Sequence, residues 1–359
     1  MMKRIIVILV ILFICPAMYA GSPGTSSALL MISDISARQS SLGGAGGALA
    51  DDVAALRYNP AGIYGLKQYE IQFTHYSSFE EINYESLIFG LPLNRYDASV
   101  GIGIDYLNYG DMPKRNNNGT DMGTFSGNDV LITAVYSKLL KSNISAGFGI
   151  KYFSSSIEEE KANAAAIDGG VLYDVNDEVK LGMALQNLGS KLKYISKGED
   201  IPLNFKFSAK YRPSQRFVTP PNIVVDVNIP RGQKINFNIG AELWLNEAVA
   251  FRFGYKDKVD EGKLLGGMGF RTDILQLDYA YMWADQLDVA HRISATFRFG
   301  GDKTKNQYTD SKNARIKMFS PKIGDQESVI NFEQKRRTIQ FDNELKDEIL
   351  FLTPINTIK

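Results

Sequence analysis

Leu275-Gln276-Leu277-Asp278-Tyr279-Ala280-Tyr281-Met282-Trp283 puts leucine, tyrosine or tryptophan at every odd position, with glutamine, aspartate, alanine and methionine between them. His291-Arg292-Ile293-Ser294-Ala295-Thr296-Phe297-Arg298-Phe299 repeats the scheme, with isoleucine, alanine and phenylalanine facing one way and arginine, serine and threonine the other. Successive side chains of a strand point to opposite faces, so a strict period of two over nine residues is a strand signature, whereas an amphipathic helix repeats near 3.6. Working outward, the same alternation predicts fourteen strands near residues 69–77, 82–92, 97–107, 129–139, 142–155, 164–174, 178–189, 203–212, 222–229, 235–245, 248–256, 264–272, 274–284 and 291–299. Many of these reach the roughly 9–11 residues that a tilted strand needs to cross a membrane. Strands of a soluble sandwich alternate too, but run nearer five or six residues. The predicted fold is therefore all-β: a 14-stranded antiparallel transmembrane β-barrel, apolar outward and polar inward, preceded by a short, partly helical N-terminal segment.

The connections alternate in length. Those after odd strands are mostly longer, residues 110–128 being the longest, and those after even strands are mostly tight. Short periplasmic turns and long outer loops are the habit of outer-membrane barrels. With an even strand count, both termini are expected in the periplasm of a bacterial cell with an outer membrane.

The flanks complete this picture. Met1-Met2-Lys3-Arg4 followed by an aliphatic run from Ile5 to Ile14 reads as a secretory leader over residues 1–20, cleaved near Ala20–Gly21 and too short to span a membrane. Cys15, the only cysteine, lies in that leader, which leaves the mature chain without a disulfide or thiolate metal site. Residues 21–67 are rich in small side chains, including Ser40-Ser41-Leu42-Gly43-Gly44-Ala45-Gly46-Gly47, a composition that suits either a plug in a narrow lumen or a simple lead into the barrel at 68–299. Asp51-Asp52-Val53-Ala54-Ala55-Leu56-Arg57 is expected to be a short helix with an acidic start, ended by Tyr58-Asn59-Pro60-Ala61-Gly62. Residues 300–359 show no membrane-strand pattern and read as a periplasmic extension, partly disordered and available to a partner.

The 40 basic and 40 acidic residues balance, which gives no footprint for nucleic acid. With only His75 and His291, the chain shows no nucleophile–base pair, metal-spaced cluster or phosphate loop. The expectation is a non-enzymatic protein without metal or cofactor. Asp105, Asp226, Arg252, Arg292 and Arg298 fall on polar faces and are assigned to the lumen, because charges facing mid-depth lipid cost several kcal/mol.

Ala37-Arg38-Gln39-Ser40-Ser41-Leu42-Gly43-Gly44-Ala45, Ala50-Asp51-Asp52 and Tyr58-Asn59-Pro60-Ala61-Gly62 resemble the N-terminal signature of PorV/PorQ-type outer-membrane proteins, within the wider FadL-like group of barrels. Tyr106-Leu107-Asn108-Tyr109-Gly110, Ala184-Leu185-Gln186-Asn187-Leu188-Gly189 and Gly267-Met268-Gly269-Phe270 extend the resemblance toward Phe299. It implies a 14-stranded barrel whose Asn-Pro-Ala segment sits inside as part of a hatch, which assigns Asp51, Asp52, Asn59, Pro60, Ala61 and Gly62 to the plug. PorV-type relatives act with a type IX secretion system. FadL-like relatives pass hydrophobic molecules inward through a lateral opening. The expected function is accordingly protein export or surface attachment through secreted proteins or secretion components. The alternative is a FadL-like transporter of long-chain fatty acids or other hydrophobic ligands, and a third reading is a structural barrel without cargo. In each case outer-membrane lipid and the barrel-assembly machinery are expected partners.

Overall fold

The computed structural model describes residues 28–77, 82–116, 118–194, 198–213, 219–257, 264–283 and 290–300. The expected leader and the C-terminal extension beyond residue 300 lie outside them. Fourteen strands close one antiparallel barrel. In chain order, β1 is Tyr69–Ser77, β2 Asn83–Leu93, β3 Ala98–Arg115, β4 Asp121–Lys141, β5 Ile144–Ile157, β6 Glu160–Asp174 and β7 Val179–Gly189. A two-residue ladder of β8 (Leu192–Lys193) and β9 (Gly198–Glu199) stands in the following connection. The wall resumes with β10 Asn204–Tyr211, β11 Asn222–Pro230, β12 Asn236–Leu245, β13 Val249–Lys256, β14 Leu264–Arg271, β15 Leu275–Trp283 and β16 Ala290–Phe299. Each strand pairs with its sequence neighbours, β7 pairs with β10, and β16 closes on β1 from Tyr69↔Phe299 to Ser77↔His291. The chain therefore enters and leaves the barrel at one end, where Tyr69 and Phe299 meet edge to face at 5.8 Å.

The alternation is inside-out relative to a soluble protein. Phe73, Ile104, Ile150, Met183, Phe253 and Ile293 are exposed, Phe253 to 71%, while Gln72, Asp105, Lys151, Asp168, Asp226 and Arg252 are buried. Apolar side chains in a continuous outward band gain nothing from water and are stable facing hydrocarbon. Among the described residues no helix is long and apolar enough to cross a membrane; the strands carry the span.

Two predicted loops are strand. Residues 110–128, expected as an open outer loop, continue β3 to Arg115 and β4 from Asp121. Asn116 makes the turn, its Oδ1 accepting the amides of Asn118 and Thr120 at 3.0 and 2.9 Å. Residues 158–163 likewise shrink to a two-residue turn before Glu160. Above the membrane neither face of a strand meets lipid, so the apolar period that marks a spanning strand fades. The tall hairpins β3–β4 and β5–β6, side by side and joined by a Lys114–Glu158 ion pair, form a crest on one side of the end opposite Tyr69 and Phe299.

Residues 28–66 fill the lumen. They comprise a helix at Ala37–Ser41, started by Ser36 Oγ accepting the Arg38 amide at 3.3 Å, a second helix at Ala55–Tyr58, and a 3-10 segment at Pro60–Gly65. The expected helix over residues 51–57 is corrected: it starts only at Ala55, because Asp51 and Asp52 turn their carboxylates to Arg38 rather than to a helix start.

Candidate functional site

The hatch reaches the wall where the wall has no side chains. At Asn59-Pro60-Ala61, Gly147 of β5 and Gly170 of β6 lie directly beneath the turn; a Cβ on either would run into Pro60 or Asn59. Asn59 is the pin. Its Oδ1 accepts the Ala61 amide at 3.1 Å, and its Nδ2 faces the carbonyls of Gly47, Val171 and Met183 at 3.2, 3.3 and 3.4 Å. The Ala61 carbonyl accepts from Ser137 and Ser145 at 3.0 and 3.3 Å, and Gly62 packs where a Cβ would stand 2.7 Å from Ala55 Cβ. A second cradle lies on β12, β13 and β14. There Gly240, Gly254 and Gly267 leave room for Ser41-Leu42-Gly43, and a Cβ on Gly240 would stand 2.6 Å from Leu42 Cβ. Gly46 and Gly47 donate both amides to Asp226 Oδ2 at 3.1 Å. The small-residue run thus serves close backbone approach.

Charge ties the same segment to the wall. Arg38 donates to both oxygens of Glu242 at 2.8 Å, to Asp52 at 2.8 Å and to Asp51 at 2.7 Å. Glu242 also accepts Arg252 Nε at 2.8 Å and Asn222 at 3.0 Å. Arg252 Nη1 lies 2.8 Å from Asp278 Oδ1, an ion pair not aligned as a hydrogen bond. Gln276 donates to Asp278 at 2.7 Å and accepts Arg298 at 3.0 Å. Arg298 Nε then reaches Glu70 at 2.8 Å, and the other oxygen of Glu70 accepts the Val53 amide at 2.9 Å. The circuit leaves the hatch at Asp52 and returns beside it at Val53. Burial pushes the Asp52 carboxyl above the usual aspartate range; Arg38 opposes this and neighbouring Asp51 adds to it.

All five predicted lumen charges face inward. Asp105 pairs with Arg57 of the hatch at 2.8 Å and accepts Tyr84 and Ser86 at 2.8 and 2.6 Å. Asp226, Arg252 and Arg298 hold the contacts above, and Arg292 stacks on Tyr76 with its guanidinium 4.5 Å from the ring centroid. Sequence reasoning did not single out Arg38, Arg57, Glu70, Glu242 or Asp278 as site residues. Inward parity marks the three on strands, Glu70, Glu242 and Asp278, only as polar, and the pairing of Arg38 with Glu242 and of Glu70 with Arg298 spans more than 200 residues. The two histidines face outward: His75 Nδ1 lies 2.6 Å from Glu85, and His291 Nδ1 2.7 Å from the Tyr279 hydroxyl.

The lumen is not polar throughout. Toward the crest, Leu30, Met31 and Ile35 of the hatch pack in one apolar cluster with Leu107, Leu131, Phe153, Ala162, Ala164 and Ala166 of β3–β6, and with Leu192 and Ile201. Tyr76, Tyr109 and Tyr194 edge it, while Leu29 and Ile32 remain 52% and 46% exposed. Beside this cluster β6 and β7 lose register between Ile167 and Gly169, with Asn187 at φ +61°. Lys151 fills the defect by pairing with Asp168 at 2.6 Å and donating to Asn187 Oδ1 at 2.7 Å. The β2–β3 pair, by contrast, is continuous from Asn83↔Asn108 to Leu93↔Ala98.

Compared with known proteins, the chain matches a family described as Uncharacterised protein family (UPF0164) over residues 24–112. No curated protein matches it. Among solved structures it is similar to the Ralstonia pickettii toluene transporter TbuX, with TM-score 0.54 and 14% identity over 74% of this chain and 98% of that one. The CymD monoaromatic hydrocarbon channel gives 0.54 and 10% over 74% and 97%. The Pseudomonas putida toluene transporter TodX gives 0.53 and 14% over 73% and 96%. At these identities the likeness establishes a shared fold alone, a closed 14-stranded antiparallel barrel.

Proposed function

We propose that this protein is a non-enzymatic outer-membrane barrel that passes hydrophobic small molecules by way of the apolar side of its lumen. The observation that carries the reading is the apolar cluster between the hatch and β3–β6, far more extensive than the two small apolar contacts of the hatch at Val224 and Leu172. The similar structures TbuX, CymD and TodX, described as toluene transporters and a monoaromatic hydrocarbon channel, support the same class of cargo. The tight-turn end, where Tyr69 and Phe299 meet, is assigned to the periplasm, the crest to the cell exterior, and lipid and the barrel-assembly machinery are the partners this placement requires. The test is uptake of radiolabelled toluene by outer-membrane vesicles with and without the protein. Faster uptake with it supports the reading; equal rates overturn it.

A second reading, protein export of the PorV/PorQ type, draws on the crest: β3 and β4, at 18 and 21 residues, rise past the length needed to span lipid and offer a surface above it. Crosslinking from native outer membranes separates the two. Secreted proteins or secretion components captured in defined ratio, with no effect on toluene uptake, favour export.

A further inference from the structure

Lys180 of β7 and Lys210 of β10 stand directly opposite each other in the ladder, at the end of the barrel where Tyr69 and Phe299 meet. Both share the inward parity of their buried neighbours Gly182 and Ser208. Like charges facing each other across a ladder destabilise it. Lys180 is relieved by Asp174 of β6, 3.0 Å from its Nζ. Lys210 is not: among the described residues no carboxylate lies within ion-pairing distance of it. Of the charges around Lys210, Lys180, Arg38 and Arg212 repel it and Asp51 attracts it, but Asp51 is already held by Arg38 at 2.7 Å. The two lysines line a cleft of about 580 Å³, a size that suits a small ligand. The β6–β7 turn forms its lip. There Asn176 Oδ1 accepts the amides of Glu178 and Val179 at 2.9 and 2.8 Å, which holds Asp177 at the exposed tip. Glu178 has a partner of its own, whereas Asp177 has none among the described residues. The cleft therefore carries one unanswered cation on its wall and one unanswered carboxylate at its lip.

We infer that this cleft binds a short peptide, with the C-terminal carboxylate on Lys210 and the N-terminal ammonium on Asp177. A ligand of one sign would answer one of these charges and be repelled by the other; a zwitterion answers both through charge-assisted hydrogen bonds. Asp177 is three residues from Lys180, and Lys210 lies one strand further, so the two charges stand roughly 10 Å apart. A free amino acid or an aminoalkyl phosphate is too short to bridge that gap, and two or three extended residues fill it. The inference is independent of the transport reading and needs only that this end of the barrel faces water.

The experiment measures equilibrium binding of radiolabelled trialanine, its N-acetyl form and its C-terminal amide to the purified full-length barrel in detergent. Trialanine is expected to bind about tenfold tighter than either blocked form. Lys210→Gln is expected to erase the preference for the free carboxylate, leaving trialanine and its amide equal, and to fold normally because it removes a like-charge contact. Asp177→Asn, at an exposed turn, is expected to erase the preference for the free amine and leave the carboxylate preference intact. Equal binding of the three peptides, or preferences that survive both substitutions, overturns the inference. So does a lack of saturable trialanine binding. Phosphoethanolamine binding as tightly as trialanine would also overturn it and assign the cleft to a lipid head group instead.

Discussion

At the Asn59-Pro60-Ala61 turn the hatch meets β5, β6 and β7 through backbone carbonyls, an amide side chain and serine hydroxyls; at Arg38 it meets β12 and β13 through a buried, shared carboxylate. The first docking is neutral and shape-driven, since Gly147 and Gly170 remove the side chains that would hold the turn away. The second adds ionic pairing to the same device, with Gly240, Gly254 and Gly267 beneath Ser41-Leu42-Gly43. A neutral contact fails by loss of fit. An ionic one fails by leaving a partner charged and alone, which is the more expensive failure.

That difference ranks the substitutions. Arg38→Met leaves Asp51, Asp52 and Glu242 around an empty centre, and is expected to weaken hatch docking by about 3–5 kcal/mol, read as faster hydrogen exchange of hatch amides in the intact barrel. A loss below about 1 kcal/mol breaks the ionic half of the comparison. Gly147→Val drives a side chain into the Pro60 backbone, where nothing flexible can yield, and is expected to cost about 1–3 kcal/mol by the same readout. Asn59→Ala removes the Ala61 cap and one donor shared among three carbonyls, for about 1–2 kcal/mol. Combined with Arg38→Met it should add within about 0.5 kcal/mol, because the two sites share no hydrogen-bond partner; a larger coupling means that the hatch docks as one unit. Asp51→Asn is the smallest, under about 1 kcal/mol, since the Asp51 side chain is 45% exposed and Asp52 and Glu242 still hold Arg38.

The barrel was legible because lipid enforces parity. Asp105, Asp226, Arg252, Arg292 and Arg298 had to point inward, and Ile293 or Phe297 outward, so alternation alone gave strand positions within a few residues of those observed. Where lipid stops, legibility stops: Asp111–Arg115 and Asp121–Ser126 are strand with both faces in water, and nothing in their order of side chains reports it. The hatch was half legible. Its small residues and the Asn59-Pro60-Ala61-Gly62 turn pointed to a plug, but Asp51 and Asp52 read as a helix start when Arg38, on a neighbouring helix, claims both. The pairing of Arg38 with Glu242, 204 residues apart, follows from the stagger of the barrel and the path of the hatch, neither of which a local pattern encodes. Gly147, Gly170 and Gly254 lie in strands where glycine reads as a weakness; the backbone packed against them explains the choice.

The central claim is that the hatch is docked to the wall at both cradles rather than lying loose in the lumen. The most direct test is hydrogen–deuterium exchange with mass spectrometry on the full-length protein in lipid nanodiscs, following peptides that cover residues 37–62 beside peptides from β5 and β13. The account predicts that Gly46, Gly47 and Ala61, whose amides are taken by Asp226 and Asn59, exchange as slowly as the barrel strands. Exchange of the whole segment within seconds, while β5 and β13 stay protected, would contradict it.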